Sequence, residues 1–414
     1  MKQDKILLFH PGVQHSYQLA LAFQEADILK YYFTSFFYKN KKFPYKYFIN
    51  INSIDRYLRK RYITELNQDY IKNIPYYEIM IFLFSRLFKK KPRIFEQLIF
   101  IRDMCFDWHI SLFNITPDIK VLVGYPGASY YSFRRAKKFN TKLIIDMPIG
   151  YYKEAERIFK EEANNNPDYA DSITYNNFNS IYAKRVDKEL ELADFIVVPS
   201  EFVRRTLLNH NIPEEKIIKI PYGSNFDIVN RNKIKLIKND EALKIIFAGQ
   251  ISQRKGIKYL LEAIMSLKRQ GYDIKLTLVG HIIGSGKGLK KYQDLYKHIN
   301  FVSRNDLKKI LLEHDLFVFP SLFEGSALII LEALSCGLPV ITTENSGAES
   351  IIDGQNGYLI PIRDVNSIIS KISFLYRRRD ILNYMKIRAL ETVTNFRWNN
   401  YREKWLQFIF KFIK

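Results

Sequence analysis

One stretch of this chain dictates a particular kind of fold. Asp315-Leu316-Phe317-Val318-Phe319-Pro320 is a short apolar run closed by proline, the pattern of a strand buried on both faces of a parallel sheet. Ala327 to Ser335 follows, rich in Leu, Ile and Ala and ended by Gly337 and Pro339, as a helix stop should be. Leu338 to Thr343 then reads as the next strand. Strand, turn, helix, strand is the repeating unit of a parallel sheet, because parallel neighbours need a crossover between them. The turn inside this unit carries Glu324-Gly325-Ser326, and Glu332 lies eight residues beyond Glu324.

The same alternation runs through the rest of the 414 residues. Lys5 to Phe9, Val121 to Tyr125, Lys142 to Asp146 and Asp194 to Pro199 are strand-like before residue 222; Leu243 to Gly249 and Ile274 to Val279 follow it. The fold class is therefore α/β, and a chain of this length holds two domains. Ile220-Pro221-Tyr222-Gly223-Ser224, a strand end and turn before a polar run, marks the join. The expected division is 1–222, 223–390 and a final segment 391–414. In that segment Trp398, Trp405, Phe408, Phe410 and Phe412 suggest an aromatic helix that packs back on the first domain or touches a membrane.

The chemistry sits at strand ends. A helix starting near Ser326, with that serine as its cap, offers free amides and a positive dipole end to an anion such as a diphosphate. Glu324 would stand beside that anion. An eight-residue helical offset spans up to about 12 Å, so Glu324 and Glu332 could each hold one end of a nucleotide sugar. Upstream, the strand ending at Gly249 leads into Gln250-Ile251-Ser252-Gln253-Arg254-Lys255-Gly256 and then a helix from Ile257 to Leu267. Arg254 offers a planar fork of donors to phosphate oxygens and Lys255 a compact charge. Cations and helix amides aimed at a departing diphosphate stabilise its developing charge without a metal. No Asp-x-Asp pair and no His or Cys cluster at ligand spacing occurs in the sequence.

The Glu-x7-Glu spacing in this setting resembles the hallmark of retaining glycosyltransferases of family 4. That resemblance implies the GT-B fold, two Rossmann-like domains facing a central cleft, and a nucleotide diphosphate sugar as donor. It implies further that Glu324 accepts from hydroxyls of the donor sugar and that the amides of Gly325, Ser326 and Ala327 meet the diphosphate. Glu332 would take the ribose hydroxyls, with Gly249, Arg254 and Lys255 completing the donor side and no cofactor required. Catalysis would then rest on Glu324, Arg254 and Lys255. Transfer to a glycan or lipid-linked acceptor would retain configuration, as in cell-surface polysaccharide or glycolipid synthesis. Ser346-Gly347-Ala348-Glu349 departs mildly from the Gly-Gly pair common at this point. A sugar phosphorylase of related fold would need a Schiff-base lysine motif, which is not found.

Other segments carry weaker signals. Gly284-Ser285-Gly286-Lys287-Gly288 fails the P-loop pattern, because His281 and Gly288 stand where Gly and Ser or Thr are needed; it reads as a flexible loop near the nucleotide. His281 at a strand end is a candidate contact, and base selection is expected around Asn300-Phe301-Val302. On the acceptor side the candidates are Gly12 and His15, after the first strand, and Asp146, where many relatives carry histidine. His109 is a further candidate.

Charge limits the partners. At +21 the chain should seek anions. Residues 30–102 hold 16 Lys or Arg against 5 Asp or Glu, about half the excess, interleaved with aromatics from Tyr31 to Phe48 and from Ile81 to Phe84. Aromatics at headgroup level, with about 1 kcal/mol per cation near an anionic surface, would dock this region on the inner membrane face. The competing explanation is a compositional bias toward Lys, Ile, Asn, Tyr and Phe. No recognisable nucleic-acid module is found, so nucleic acid is not expected as a partner. Two cysteines, Cys105 and Cys336, and no secretory signal point to the cytoplasm. The rival to an enzyme is a noncatalytic basic membrane-surface protein that keeps the GT-B fold.

Overall fold

A computed structural model describes residues 6–12, 15–38, 61–79, 81, 92–173 and 180–413. Two all-parallel sheets form its frame. The first contains β1 (Ile6–His10), β2 (Leu29–Thr34), β3 (Ile71–Asn73), β4 (Val121–Gly124), β5 (Lys142–Asp146), β6 (Phe195–Val198) and β7 (Ile217–Lys219), in the order 3-2-1-4-5-6-7. The second contains β8 (Leu243–Ala248), β9 (Ile274–Val279), β10 (Tyr296–Ile299), β11 (Leu316–Phe319), β12 (Val340–Thr343) and β13 (Gly357–Ile360), in the order 10-9-8-11-12-13. Both are doubly wound. The order reverses between β1 and β4 in one sheet and between β8 and β11 in the other, and ligands of such sheets bind beyond the carboxyl ends of strands at those points.

The central strands are continuous apolar runs because helices cover both faces; β1 and β11 are buried at every residue. The covering helices of the first domain are α1 (Ser16–Glu25), α2 (Pro92–Phe113), α3 (Tyr130–Ala136), α4 (Tyr152–Asn165), α5 (Ser180–Leu192) and α6 (Glu201–Leu208). Those of the second are α7 (Ile257–Arg269), α8 (Arg304–Leu312), α9 (Leu328–Ser335), α10 (Val365–Arg377) and α11 (Arg379–Val393). Sequence periodicity missed β2, β3, β10 and β13 and marked β7 only by its end, before the join at Ile220. In β2 the run Tyr31-Tyr32-Phe33 was read as part of a membrane-facing surface, yet Tyr32, Phe33, Phe37 and Tyr38 are core residues. The basic aromatic stretches 39–60 and 82–91 lie outside the described residues.

The final helix, α12 (Trp398–Ile409), lies against α1 of the first domain. Tyr401, Trp405, Phe408 and Ile409 are buried in the core that also holds Ile6, Val123 and Phe23, with the Phe23 and Trp405 rings 6.2 Å apart. Burying side chains of this size stabilises by about 1.5–3 kcal/mol each, which accounts for an aromatic helix here without a membrane. The chain thus crosses between domains twice, and the crossings touch: the Ser224 amide donates to the Phe396 carbonyl at 2.7 Å. A Cβ on Gly223 would come within 2.2 Å of the Trp398 nitrogen, so only glycine lets the two segments run this close. Among the described residues no helix is long and apolar enough to cross a membrane.

Candidate functional site

Gly249, Arg254 and Lys255 follow β8, and Glu324 follows β11, so the two strands flanking the second reversal point deliver them to one place. Gln253–Lys255 forms a single 3-10 turn, closed by Gly256 with φ 71°. Both cations of that turn are buried, unlike an ordinary surface Arg-Lys pair. Arg254 Nη1 donates to Glu324 Oε1 at 2.7 Å and to the Phe323 carbonyl at 3.1 Å. Lys255 Nζ pairs with the same Oε1, and Ser321 Oγ donates to it at 3.2 Å. One carboxylate oxygen therefore collects two cations and a hydroxyl.

Electrostatics follow from this crowding. Burial alone would raise the Glu324 carboxyl, but Lys255 and Arg254 outweigh it and hold it below the ordinary glutamate value. Burial dominates at Lys255, and with Arg254 beside it the ammonium falls to about 8 despite Glu324. Arg254 keeps one more donor: its Nε is buried and has no partner among the described residues. A buried unpaired guanidinium N–H is costly, and an anionic oxygen would satisfy it.

The helix after Glu324 starts later than expected. Ala327 is the residue before α9, and Ser326 caps nothing. The reason is tertiary. The Glu324 amide donates to Asn345 O at 2.9 Å and the Ala327 amide to Ser346 O at 3.0 Å, so the loop after β12 ties down both ends of 324–327 and Ala327 is extended, not helical. Of the three amides expected to meet a diphosphate, that of Ala327 is thereby committed. The helical-rise estimate of the Glu324 to Glu332 separation does not apply, since α9 begins only at Leu328. Glu332 is buried, its carboxyl raised by that burial against the pull of Arg304. It accepts from Asn225 Nδ2 at 3.2 Å and Arg304 Nη2 at 3.3 Å.

Gly325 meets the first domain. Its carbonyl accepts from Ser200 Oγ at 2.5 Å, and a Cβ there would fall 1.6 Å from the Pro148 carbonyl oxygen. Phe323 beside it packs edge-on against Phe159 and Phe202, at 5.4 and 5.2 Å. The loop after β11 is thus one of the places where the two domains meet.

On the opposite side, the first reversal point gathers His15 and Asp146. His15 Nε2 lies 2.7 Å from Asp146 Oδ2, which also accepts from the Tyr125 hydroxyl at 3.0 Å. The Tyr222 hydroxyl, from the crossing segment, is 3.2 Å from the same imidazole nitrogen. Both members of the pair are buried. Gly12 belongs nearby, its amide donating to His10 Nδ1 at 2.8 Å. His109 does not join them: its ring packs against Phe113 at 5.0 Å and Tyr76 at 6.0 Å. His281 pairs with Asn300, Nδ1 to Oδ1 at 2.7 Å, and stacks on Phe301, of which 61% is exposed. The glycine loop 284–288 is pinned rather than flexible, because Asp171 accepts the Ser285 amide at 2.6 Å and Tyr169 donates to the Gly288 carbonyl at 2.7 Å. Sequence reasoning missed Ser321, Asn225 and Tyr222 as partners of the site. None stands in a local pattern that distinguishes it from an ordinary turn or loop residue.

Comparison with known proteins bears on the fold and its likenesses. Residues 242–378 match the family model described as Glycosyl transferases group 1. The chain is similar to the capsular polysaccharide biosynthesis glycosyltransferase CapM of Staphylococcus aureus, with 27% identity over 44% of this chain and 51% of the relative. It is similar too to the O-antigen chain mannosyltransferase B of Escherichia coli, with 24% identity over 52% of this chain and 60% of that protein. The chain thus spans about half to three fifths of the length of these relatives. Among solved structures, HepE of Anabaena in complex with UDP superposes with a TM-score of 0.62 over 98% of this chain and 100% of that one, at 13% identity. That likeness establishes the expected GT-B fold.

Proposed function

We propose that this chain is a retaining glycosyltransferase that moves a hexose from a nucleoside diphosphate sugar to a glycan or lipid-linked acceptor in cell-surface polysaccharide synthesis. The observation that carries the reading is the convergence of Arg254, Lys255 and Glu324 at the second reversal point, with Arg254 Nε buried and unpartnered. A donor diphosphate entering there takes over the two cations, which frees Glu324 to accept from the sugar hydroxyls. As the bond from the anomeric carbon to the phosphate oxygen breaks, charge builds on that oxygen, and the cations and the Gly325 and Ser326 amides meet it without a metal. The leaving phosphate takes the acceptor proton while the acceptor enters from the same face. Glu332 holds the ribose. His15 and Asp146 shape the acceptor side.

The acceptor is membrane-borne in this reading, and the protein works peripherally on the cytoplasmic face. Tyr76, Ile79, Ile101, Trp108 and Phe113 each expose half or more of their surface, and between the first two and the rest the sequence carries five cations from Arg86 to Arg93. Scattered exposed apolars need no explanation, but five that flank the basic run from Arg86 to Arg93 suit an anionic interface.

The reading is tested by thermal shift against uridine, guanosine and adenosine diphosphate sugars, since a ligand bound only by the native state raises the melting temperature. Stabilisation by one base that disappears in Arg254→Ala supports the donor site. No stabilisation by any of the three overturns it. Liposome binding that survives Glu324→Ala, in a protein that turns over no nucleotide sugar, would point instead to a noncatalytic membrane-surface role.

A further inference from the structure

The residue just before the two cations is tied to the other domain. Gln253 is fully buried; its amide donates to Ser172 Oγ at 2.9 Å and its side-chain nitrogen to Glu162 Oε1 at 2.7 Å. Both partners belong to the segment between β5 and β6 of the first sheet. Glu162, on α4, is itself completely buried. Tyr259 donates to both of its oxygens, at 2.7 and 2.9 Å, and Arg363 Nε donates to Oε2 at 2.7 Å. Three of its donors therefore come from the second domain.

This is an expensive arrangement. A buried carboxylate loses its hydration, and only well-formed partners offset that loss, so such a group adds little to stability by itself. Arg363 adds to the cost, since its φ of 65° lies in the left-handed region that non-glycine residues avoid. It stays there while gripping Glu162, Glu161 at 2.7 Å and the Ile158 carbonyl at 3.0 Å.

We propose that Glu162 is a positioning residue for the diphosphate site: through Gln253 it sets the turn that presents Arg254 and Lys255, so that the donor grip is formed only while α4 is docked on the second domain. The proposal rests on the donor-site reading above. The Gln253 side-chain oxygen accepts the Lys258 amide at 3.1 Å, at the start of α7, so this amide group links Glu162 to the first turn of the helix that follows the cations. Losing Glu162 releases one end of that link, and the turn is no longer fixed relative to Glu324.

The test is calorimetric titration of the whole chain with uridine, guanosine and adenosine diphosphates, using whichever binds the wild type. Glu162→Gln and the volume-conserving Gln253→Met should each weaken binding about tenfold. The double variant should bind no more weakly than the weaker single, because both changes cut one path. Losses that multiply, as for unconnected damage, overturn the proposal, and so does binding within twofold of wild type in either single variant with a cooperative melt. Should Glu162→Gln fail to fold, Gln253→Met alone decides: a tenfold loss supports the role and unchanged affinity ends it. A wild type that binds none of the three diphosphates defeats the donor-site reading itself, whereas wild-type binding with unaffected variants defeats only the role of Glu162.

Discussion

Trp398 and Asn225 are joined by a hydrogen bond, indole Nε1 to Oδ1 at 2.9 Å, between the two segments that cross from domain to domain. The same Asn225 donates to Glu332. The carboxylate expected to meet the ribose is therefore oriented by an indole at the start of the last helix.

Trp398→Phe keeps an aromatic ring, smaller than the indole, and removes the donor, leaving the Asn225 amide free to turn. Nucleoside diphosphate binding should weaken about three- to tenfold, the loss of one hydrogen bond of about 1 kcal/mol, while inorganic pyrophosphate, which has no ribose, keeps its affinity. Parallel calorimetric titrations with the two ligands check this.

Gly325→Ala should separate the domains without unfolding either. The added methyl would sit 1.6 Å from the Pro148 carbonyl oxygen, a clash that backbone must relieve. Small-angle scattering should show a larger radius of gyration and transfer should fall by at least about tenfold, since a 1 Å misplacement of catalytic groups costs more than that. An unchanged radius with full activity would refute the close contact.

Two pH dependences follow from the ion cluster. Lys255 titrates at about 8 in the folded chain against 10.5 for the ordinary side chain. Between those values the unfolded state binds more protons, so Lys255 makes stability rise with pH across that window. Binding runs the other way: above pH 8 the free site has lost the charge that a diphosphate needs, so affinity should drop, with proton uptake measurable by calorimetry in buffers of different ionisation enthalpy. Lys255→Arg should flatten the drop. Glu324, with its carboxyl held below the ordinary value of 4.5, contributes stability present above that pH that is lost as pH falls through its folded value.

Asp146→Ala removes the shared acceptor of His15 and Tyr125, leaving the Tyr222 hydroxyl at 3.2 Å as the remaining partner of that imidazole nitrogen. A loss of about 3 kcal/mol is expected in denaturant melts, the range for breaking a buried pair. A much smaller loss would mean that water enters and replaces the carboxylate.

The strand ends that carry the site were legible in the sequence because buried parallel strands are uninterrupted apolar runs, and Arg254, Lys255, Glu324 and Glu332 each stand just past such a run or on the helix behind it. Where those runs are short or aromatic the reading failed: β2 looked like a surface because Tyr and Phe serve core and interface alike. The late start of α9 could not be read either, since carbonyls of Asn345 and Ser346, two elements away, take the amides of Glu324 and Ala327.

Local periodicity determined which segments are strands and helices and which residues lie at their ends, because those depend on neighbours a few positions away. Only the tertiary structure decided that Glu324 faces both cations, that His15 meets Asp146 across 131 positions, and that Glu162 reaches into the other domain. Such pairings depend on how two sheets and a returning helix pack, a balance of burial and desolvation over the whole chain that no short window of sequence contains.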